Sequence, residues 1–335
     1  MDNIVKFAKG KKNLITDIDN VLVGNSEDEL SKTGVTIIYF KKPSVAGYHV
    51  MGGAPGTRET DLLDSDKMIQ KIDCIVFSGG SVFGLEAASG VCNELRKEKR
   101  GFQVDEFNIP IVPSAILFDL HNGGKKDFYK NFYYDLGIKA LKNISTNFQL
   151  GNYGAGKGSL TENLKGGLGS ASLNVNNFNI GALCIVNSFG SVTIDNKKNF
   201  WASPFEIDNE FGNLGFPKKI IKNNFFFKKK NLFNKREATT LVVVATDAKL
   251  TKSEATRISV IAHDGISRSI FPSHTQFDGD IIFTVSTGKK EIKDPNNDLM
   301  ILGNAAAICI SRSIARAVYN AKPEKNDKKK SWSEL

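Results

Sequence analysis

Short runs of apolar residues, separated by polar turns, recur along the chain. Their length and their content of β-branched residues are typical of strands that are buried on both faces. The runs occupy the stretches 34–40, 74–80, 109–118, 178–189, 239–248 and 278–288. The pattern predicts a sheet whose central strands contact protein on both sides.

Three further segments have the spacing of helices. From Ser81 the apolar positions repeat every four residues and basic residues follow in the last turn. Thr251 and Glu254 form a capping-box pattern at the start of a second helix. The segment 298–321 predicts a last helix, rich in small residues that permit close packing. Strands mixed with amphipathic helices indicate a layered α/β protein.

Composition does not change this picture. The chain has 335 residues, of which 41% are hydrophobic and 24% charged, as in a globular protein with a substantial core. The N-terminus lacks an apolar h-region and no stretch resembles a membrane span, so we expect a cytoplasmic location. The four cysteines are scattered, which favours free thiols over disulfides or zinc. No cofactor or metal is expected.

The net charge of +9 is concentrated in one place. Residues 211–236 contain eight Lys or Arg and no acidic residue, and phenylalanines lie between them. Such a mixture suits a nucleic-acid or membrane-binding module, which remains an alternative. The favoured interpretation is a solvated insertion over 197–237, with no nucleic-acid or membrane partner. The charged segment 322–335 is predicted to be a disordered tail.

Three places could carry chemistry. "GNYGAGKGSL" at 151–160 resembles a phosphate-binding loop, but Gly158 occupies the position of the metal-binding hydroxyl. Ser81 lies between a strand and a helix, as a hydrolase nucleophile would, but the spacing of its glycines is one residue too long and His263 or His274 would have to act as base. Thr239 begins an apolar strand, where Thr is also simply a good strand former.

A set of ordered segments decides between these readings. The most distinctive are "GGAPGTRETDLL" at 52–63 and "TQFDGD" at 275–280, accompanied by "KGGLGSAS" at 165–172. The whole set, of which these are only the most distinctive members, covers most of the chain. It closely resembles the DmpA-type peptidase family, which includes L-aminopeptidase/D-esterases, β-peptidyl aminopeptidases and nylon-oligomer hydrolases. The resemblance omits the first dozen residues, the insertion and the tail.

The resemblance implies a single-domain αββα sandwich, made over 1–335 as a precursor that cuts its own backbone. The bond is Ala238–Thr239, which gives chains of 1–238 and 239–335. Thr239 would be the nucleophile, and its freed α-amine, with a pKa of roughly 7.7 to 8, would be its base. Expected substrates are small peptides or amino-acid amides, and a homo-oligomer, by family a tetramer, is expected. An acyltransferase of the ornithine-acetyltransferase type is the alternative.

The same resemblance assigns the remaining site residues. Asp280 would orient Thr239 and Asp278 would support it. Asn187 would stabilise the oxyanion of the tetrahedral intermediate. Lys157, held among glycines, would face the nucleophile and favour its neutral amine or the developing negative charge.

Two positions depart from the family pattern. Ala238 precedes the nucleophile where many relatives have Asn. The acyl shift needs only the preceding carbonyl group, so cleavage is still expected. Phe118 stands where some members have a Tyr at the site, which removes one hydroxyl donor.

Overall fold

The long strand β3 organises the sheet. The computed structural model describes residues 6–126, 132–219 and 237–335, so most of the basic stretch predicted at 211–236 lies outside it. The strands are β1 (Phe7–Lys9), β2 (Val21–Asp28), β3 (Thr33–Val50), β4 (Thr57–Arg58), β5 (Lys71–Ser78), β6 (Phe102–Val104), β7 (Phe107–Ile109), β8 (Ser114–Ile116), β9 (Gly167–Val175), β10 (Phe178–Asn187), β11 (Thr239–Ala248) and β12 (Ile281–Lys290). The helices are α1 (Glu86–Lys97), α2 (Tyr133–Lys142), α3 (Lys252–Ser267) and α4 (Pro295–Asn320).

The two ends of β3 belong to different halves of one ten-stranded sheet. Its first half pairs with β2 and β5, and its last residues, Val45–Val50, pair with β12. The register shifts between Tyr39 and Ser44, where the strand passes from one half to the other. One half runs β1-β9-β10-β11-β12-β3, and the other contains β2, β3, β5, β8 and β4.

The two halves of the sheet pack face to face. Alternate residues of β11, such as Leu241 and Val243, lie in a buried cluster with Phe77 from the other half. The residues between them, such as Val242 and Val244, face the opposite way and pack with the helices α3 and α4. Because both faces of β11 are covered, its sequence is a continuous apolar run instead of an alternating one.

Helices cover both outer faces. α1 and α2 pack on the half that contains β5, through residues such as Val91 and Leu136. α3 and α4 cover the half that contains β11. The order helix, sheet, sheet, helix confirms the predicted αββα sandwich, with β3 joining its two central layers.

Two predicted helix features can be compared with the structure. Thr251 and Glu254 form the capping box reciprocally at the start of α3, which confirms that prediction. α4 is long and apolar enough to cross a membrane by length and composition, with a mean hydropathy of 1.3 over its best window. The expectation of no such stretch was therefore wrong for this helix. Since 67% of that window is buried inside the fold, the packing of α4 is that of a core helix.

The strand predicted at 109–118 is much shorter in the structure. Only Ser114–Ile116 pairs, as β8. Pro110 and Pro113 lie in the predicted run and have no N–H to donate to a neighbouring strand. The apolar pattern therefore marks burial here more than strand pairing.

The segment 322–335, predicted to be disordered, is ordered. Ser331 is fully buried and caps a short turn at Trp332–Glu334. The Trp332 ring lies 5.9 Å from that of Phe200 and 4.7 Å from that of Tyr319, measured between centroids. Phe200 belongs to the segment 197–219, so the start of the predicted insertion packs on the body together with the C-terminal segment.

Candidate active site

Thr239 and Asn187 lie side by side at one end of the core between the two sheet halves. They are register partners at the adjoining ends of β11 and β10. Side chains two residues apart on a strand share a face, so Thr239 points to the same side as Leu241 and Asn187 to the same side as Ile185. Both of those residues belong to the inter-sheet core. The Thr239 side chain is therefore at the end of this core, and the residue is only 4% exposed.

Three hydrogen bonds hold Ala238 and the peptide bond that follows it. Thr239 Oγ1 donates to the Ala238 carbonyl oxygen at 2.5 Å. The Gly279 N–H donates to the same oxygen at 2.8 Å, and the Ala238 N–H donates to the Phe277 carbonyl at 3.0 Å. The hydroxyl of the predicted nucleophile thus lies at the carbonyl group it would attack, and a backbone donor points at the oxygen that would gain charge.

Position 279 requires glycine because neighbouring atoms lie too close to leave room for a Cβ. A Cβ at this position would lie 2.8 Å from Thr239 Oγ1 and 2.7 Å from the Ala54 carbonyl oxygen, both below the 3.0 Å that real Cβ atoms keep. Its φ lies outside the left-handed region, so conformational freedom is not the reason. The missing side chain makes room for the Thr239 hydroxyl.

The two most distinctive sequence segments form one structural unit. The Met51 and Gly52 N–H groups donate to the Asp280 carbonyl at 3.1 and 3.2 Å, and the Ala54 N–H donates to the Asp278 carbonyl at 2.9 Å. A Cβ on Gly52 would lie 2.3 Å from the Asp278 carbonyl oxygen. The glycines after β3 therefore let this segment wrap the loop that contains the two aspartates.

Asp280 holds the start of β11, and among the described residues its carboxylate accepts from Thr240 and His274 instead of from the Thr239 hydroxyl. Its Oδ1 accepts from the Thr240 N–H at 2.7 Å, and its Oδ2 accepts from the His274 N–H at 3.1 Å. The carboxylate is 1% exposed. The carboxylate thus reaches the start of β11 through the backbone of Thr240, and its orientation of Thr239 stays a prediction.

Asp278 connects segments on either side of the Ala238–Thr239 bond. Its Oδ1 accepts from the Phe189 N–H at 3.1 Å, and its Oδ2 accepts from the Thr275 N–H and hydroxyl at 3.0 and 2.5 Å. Its backbone forms a bridge with Ala238. Burial, together with the charge of Asp280, raises the pKa of Asp278 to about 6. This carboxyl can therefore exchange a proton near neutral pH.

Asn187 lies where the family resemblance requires an oxyanion donor. Its side-chain oxygen accepts from the Leu160 N–H at 2.9 Å, which fixes which way the amide faces. Its Nδ2 donates to the Phe118 carbonyl at 3.0 Å. A side-chain amide nitrogen carries two N–H groups, so one is left besides the bond to Phe118, and the role of Asn187 as an oxyanion donor stays a prediction. Phe118, the residue in place of the family Tyr, contributes its carbonyl here.

Lys157 is not brought to the nucleophile. Its ammonium pairs with Glu29 and Glu324, each at 2.7 Å, and the side chain is 6% exposed. Lys165 pairs with Glu324 and Asp327 beside it. The prediction that Lys157 faces Thr239 was wrong because its partners, 128 and 167 residues away in sequence, fix its ammonium in a charge network under the C-terminal segment.

The serine alternative also lacks its base. Ser81 has a φ of 56° and its N–H donates to the Leu117 carbonyl. Within the described residues, the hydrogen bonds and ring contacts of His263 and His274 reach each other, His49 and Asp280, and not Ser81. His263 lies in α3 and is 1% exposed, as a histidine packed in the core would be.

Sequence reasoning missed two contributors to the site. One is the Gly279 N–H, which the glycine between two aspartates in "FDGD" could have suggested. The other is His274, which was considered only as a partner of Ser81. Its position six residues before Asp280 is the signal that could have linked the two.

Comparisons with known proteins identify the family of the chain. The chain matches peptidase family S58 over residues 13–331. It is 34% identical to an uncharacterized aminopeptidase of Mycobacterium tuberculosis (strain ATCC 25618 / H37Rv), over 93% of this chain and 95% of the relative. It is 24% identical to a 6-aminohexanoate-oligomer endohydrolase of Kocuria sp. (strain KY2), over 85% and 78% respectively.

Solved structures share the fold. The L-aminopeptidase D-Ala-esterase/amidase from Ochrobactrum anthropi, described as a variant of the Ntn hydrolase fold, superposes with a TM-score of 0.67 at 22% identity and covers 96% of this chain and 90% of its own. A Burkholderia sp. beta-aminopeptidase gives 0.66 at 18% identity, covering 98% and 93%. From the family match and the aminopeptidase relative, the chain belongs to peptidase family S58 and is a hydrolase that acts on peptide bonds.

Proposed function

We propose that the chain cleaves itself between Ala238 and Thr239, and that the freed Thr239 then hydrolyses amide bonds of small peptides or amino-acid amides through an acyl-enzyme. One observation carries the proposal. The Thr239 hydroxyl lies 2.5 Å from the Ala238 carbonyl oxygen, and the Gly279 N–H reaches that oxygen at 2.8 Å.

The self-cleavage proceeds by an acyl shift. Thr239 Oγ attacks the Ala238 carbonyl carbon, and the Gly279 N–H stabilises the charge on its oxygen, a contribution of about 3 kcal/mol for such a donor. The C–N bond then breaks, and the proton that left the hydroxyl goes to the departing nitrogen. Water hydrolyses the resulting ester, which leaves a carboxylate on Ala238 and a free amine and hydroxyl on Thr239.

The mature reaction uses the same oxygen with a new base. The freed Thr239 amine takes the hydroxyl proton as Oγ attacks the substrate carbonyl. Asn187 donates to the resulting oxyanion, and the leaving amine departs with the proton. Hydrolysis of the acyl-enzyme by water restores the hydroxyl. Before cleavage this nitrogen is an amide without basicity, so processing also switches the enzyme on.

The relatives support an amide substrate. Their names describe aminopeptidases and an endohydrolase of 6-aminohexanoate oligomers. Both activities break an amide bond between small units. We therefore infer a substrate of this class for the present chain, and the test begins with amino-acid amides and short peptides.

Two adjacent threonines offer a matched test. Thr239→Val keeps the side-chain shape and removes the hydroxyl, so we expect an intact chain without amidase activity. Thr240→Val makes the same change one residue along, where the hydroxyl is buried and makes no hydrogen bond among the described residues. We expect this control to cleave and hydrolyse normally. A Thr239→Val protein that still splits at this bond, or still hydrolyses amides, would show that the nucleophile has been misassigned.

A further inference from the structure

Three of the four histidines of the protein pack ring against ring in a series, the ring chain, that ends at Asp280. The His49 and His263 rings lie 5.2 Å apart between centroids, and those of His263 and His274 lie 4.9 Å apart, both edge to face. His263 Nε2 also lies 3.2 Å from the His49 carbonyl oxygen. The rings come from α3, from the end of β3 and from the loop before β12. The proposed reaction leaves all three unused.

His274 meets Asp280 twice. Its N–H donates to Asp280 Oδ2 at 3.1 Å, and its ring Nδ1 lies 2.8 Å from the same oxygen, at ion-pair distance and off the axis of a hydrogen bond. The other oxygen of Asp280 accepts from the Thr240 N–H. One carboxylate therefore joins the imidazole to the residue that follows the nucleophile.

The backbone of His274 is fixed in an uncommon conformation. Its φ is 55°, in the left-handed region that few residues other than glycine adopt. The surrounding contacts, the His263 ring on one side and Asp280 on the other, hold it there. Conformations of this kind persist where the surrounding structure determines them, and they are concentrated at functional sites.

Two of the three imidazoles in the ring chain have lowered pKa values. Burial, and after it the charge of His274, lowers the pKa of His263 to about 4. The same two causes lower the pKa of His49. His263 and His49 thus stay neutral at physiological pH, and the His263 ring packs against that of His274. The described groups that face His274 are Asp280 on its own loop, His263 from α3 and His49 from β3, with Asp278 beyond Asp280.

We propose that His274 is a positioning residue for the nucleophile: it holds the Asp280 carboxylate against the Thr240 N–H and so fixes the start of β11, where Thr239 attacks. The proposal rests on the proposed function. In the uncleaved chain the pair fixes the scissile peptide. After cleavage it fixes the new N-terminus, whose freed amine must stay aligned with its own hydroxyl.

The substitution His274→Asn tests this role. Asn tolerates a positive φ, so the loop can keep its backbone, while the imidazole ring is removed. Lys99→Asn is the control, because Lys99 is exposed, lies outside the site and has a φ of 54°, so it also places Asn at a positive φ. We expect His274→Asn to slow self-cleavage and to lower kcat at least tenfold, with KM within twofold. The acid limb of the kcat–pH profile should move by at least 0.5 pH unit, and Lys99→Asn should leave all of these unchanged.

A second readout works without any cleavage. In the Thr239→Val background, hydrogen exchange of the Thr240 amide reports the hydrogen bond to Asp280 directly. Added His274→Asn should speed this exchange at least tenfold, and Asp280→Asn should do the same if the histidine variant does not fold. Unchanged Thr240 exchange together with an unchanged pH profile would overturn the proposal. If the exchange becomes faster but the Thr239→Val variant still hydrolyses amides, the result would support the positioning of β11 by His274. It would refute the assignment of Thr239 as the nucleophile instead.

Discussion

Substitution of Gly279 probes the geometry of self-cleavage most closely. Gly279→Ala would place a methyl group 2.8 Å from Thr239 Oγ1 and 2.7 Å from the Ala54 carbonyl oxygen. The φ of this residue is open to any L-amino acid, so the backbone itself is not strained by the change. The new methyl therefore acts on its neighbours, and the hydroxyl is one of the two nearest.

The size of the effect follows from these distances. To reach ordinary contact at 3.4 Å, Thr239 Oγ1 and the new methyl must separate by about 0.6 Å. A misplacement of about 1 Å can cost on the order of a hundredfold in rate. The same shift weakens the Gly279 donor, and loss of an oxyanion donor costs about 100- to 1,000-fold. We expect cleavage to slow by about a hundredfold, with an overpacking cost of about 1–3 kcal/mol in stability.

The assay follows disappearance of the 36.7 kDa chain by intact mass after synthesis in a cell-free system. Gly181→Ala is the matched control. A Cβ there would lie 2.9 Å from Ile15 Cα, a similarly close contact, and Gly181 pairs with Ala245 far from the scissile end of β11. The control should cleave at the wild-type rate. If Gly279→Ala also cleaves at that rate, the Gly279 N–H and the space beside it have no part in the reaction.

Three further results are expected. Stability is measured in the Thr239→Val background, where the chain stays intact, and cleavage is measured in the wild-type background. Lys157→Met should leave the rate of self-cleavage within about twofold, because the Lys157 ammonium pairs with Glu324 and not with the nucleophile. The same substitution should lower the free energy of unfolding in urea by about 1–2 kcal/mol. Loss of cleavage would contradict the assignment of Lys157 to the charge network. Asp278 has its pKa raised from an ordinary 3.8 to about 6, so the folded state binds the extra proton and the free energy of unfolding falls as pH rises between these values, then levels off. Asp278→Asn should remove about 3 kcal/mol of that fall, at about 1.4 kcal/mol for each pKa unit, and an identical pH dependence would refute the shift. Trp332→Ala should lower the free energy of unfolding by about 2–3 kcal/mol, because its ring packs on the body, and an unchanged value would mean that the C-terminal segment is not docked.

The parts of the fold that the sequence predicts best are those set by local pattern. β11 occupies residues 239–248, the run predicted for it, because both of its faces are buried and its residues are β-branched. The α3 capping box was also readable, since its two partners are three residues apart. In both cases the residues that determine the structure are neighbours in the chain.

The missed elements depend on distant contacts. β9 is rich in Gly and Ser, which have low strand propensity, and its small residues admit α4: a Cβ on Gly169 would lie 1.9 Å from the Ser313 carbonyl oxygen. α2 contains Gly137, which lies against the Ala87 carbonyl of α1 for the same reason. Local propensity cannot anticipate a partner helix that approaches from far along the sequence.

The candidate site divides in the same way. Thr239, Asn187 and the aspartates were assigned from segments that resemble a family, and the structure brings them to one end of the inter-sheet core. Lys157 was assigned by the same resemblance, but its acidic partners come from the chain's two ends and take its ammonium elsewhere. Charge pairing over such separations is invisible to motif spacing.

The most direct measurement is intact-mass spectrometry with N-terminal sequencing of purified protein that hydrolyses an amino-acid amide. We predict two chains, one of which begins at Thr239. An active preparation in which the 36.7 kDa chain is unbroken would contradict self-cleavage and with it the threonine nucleophile.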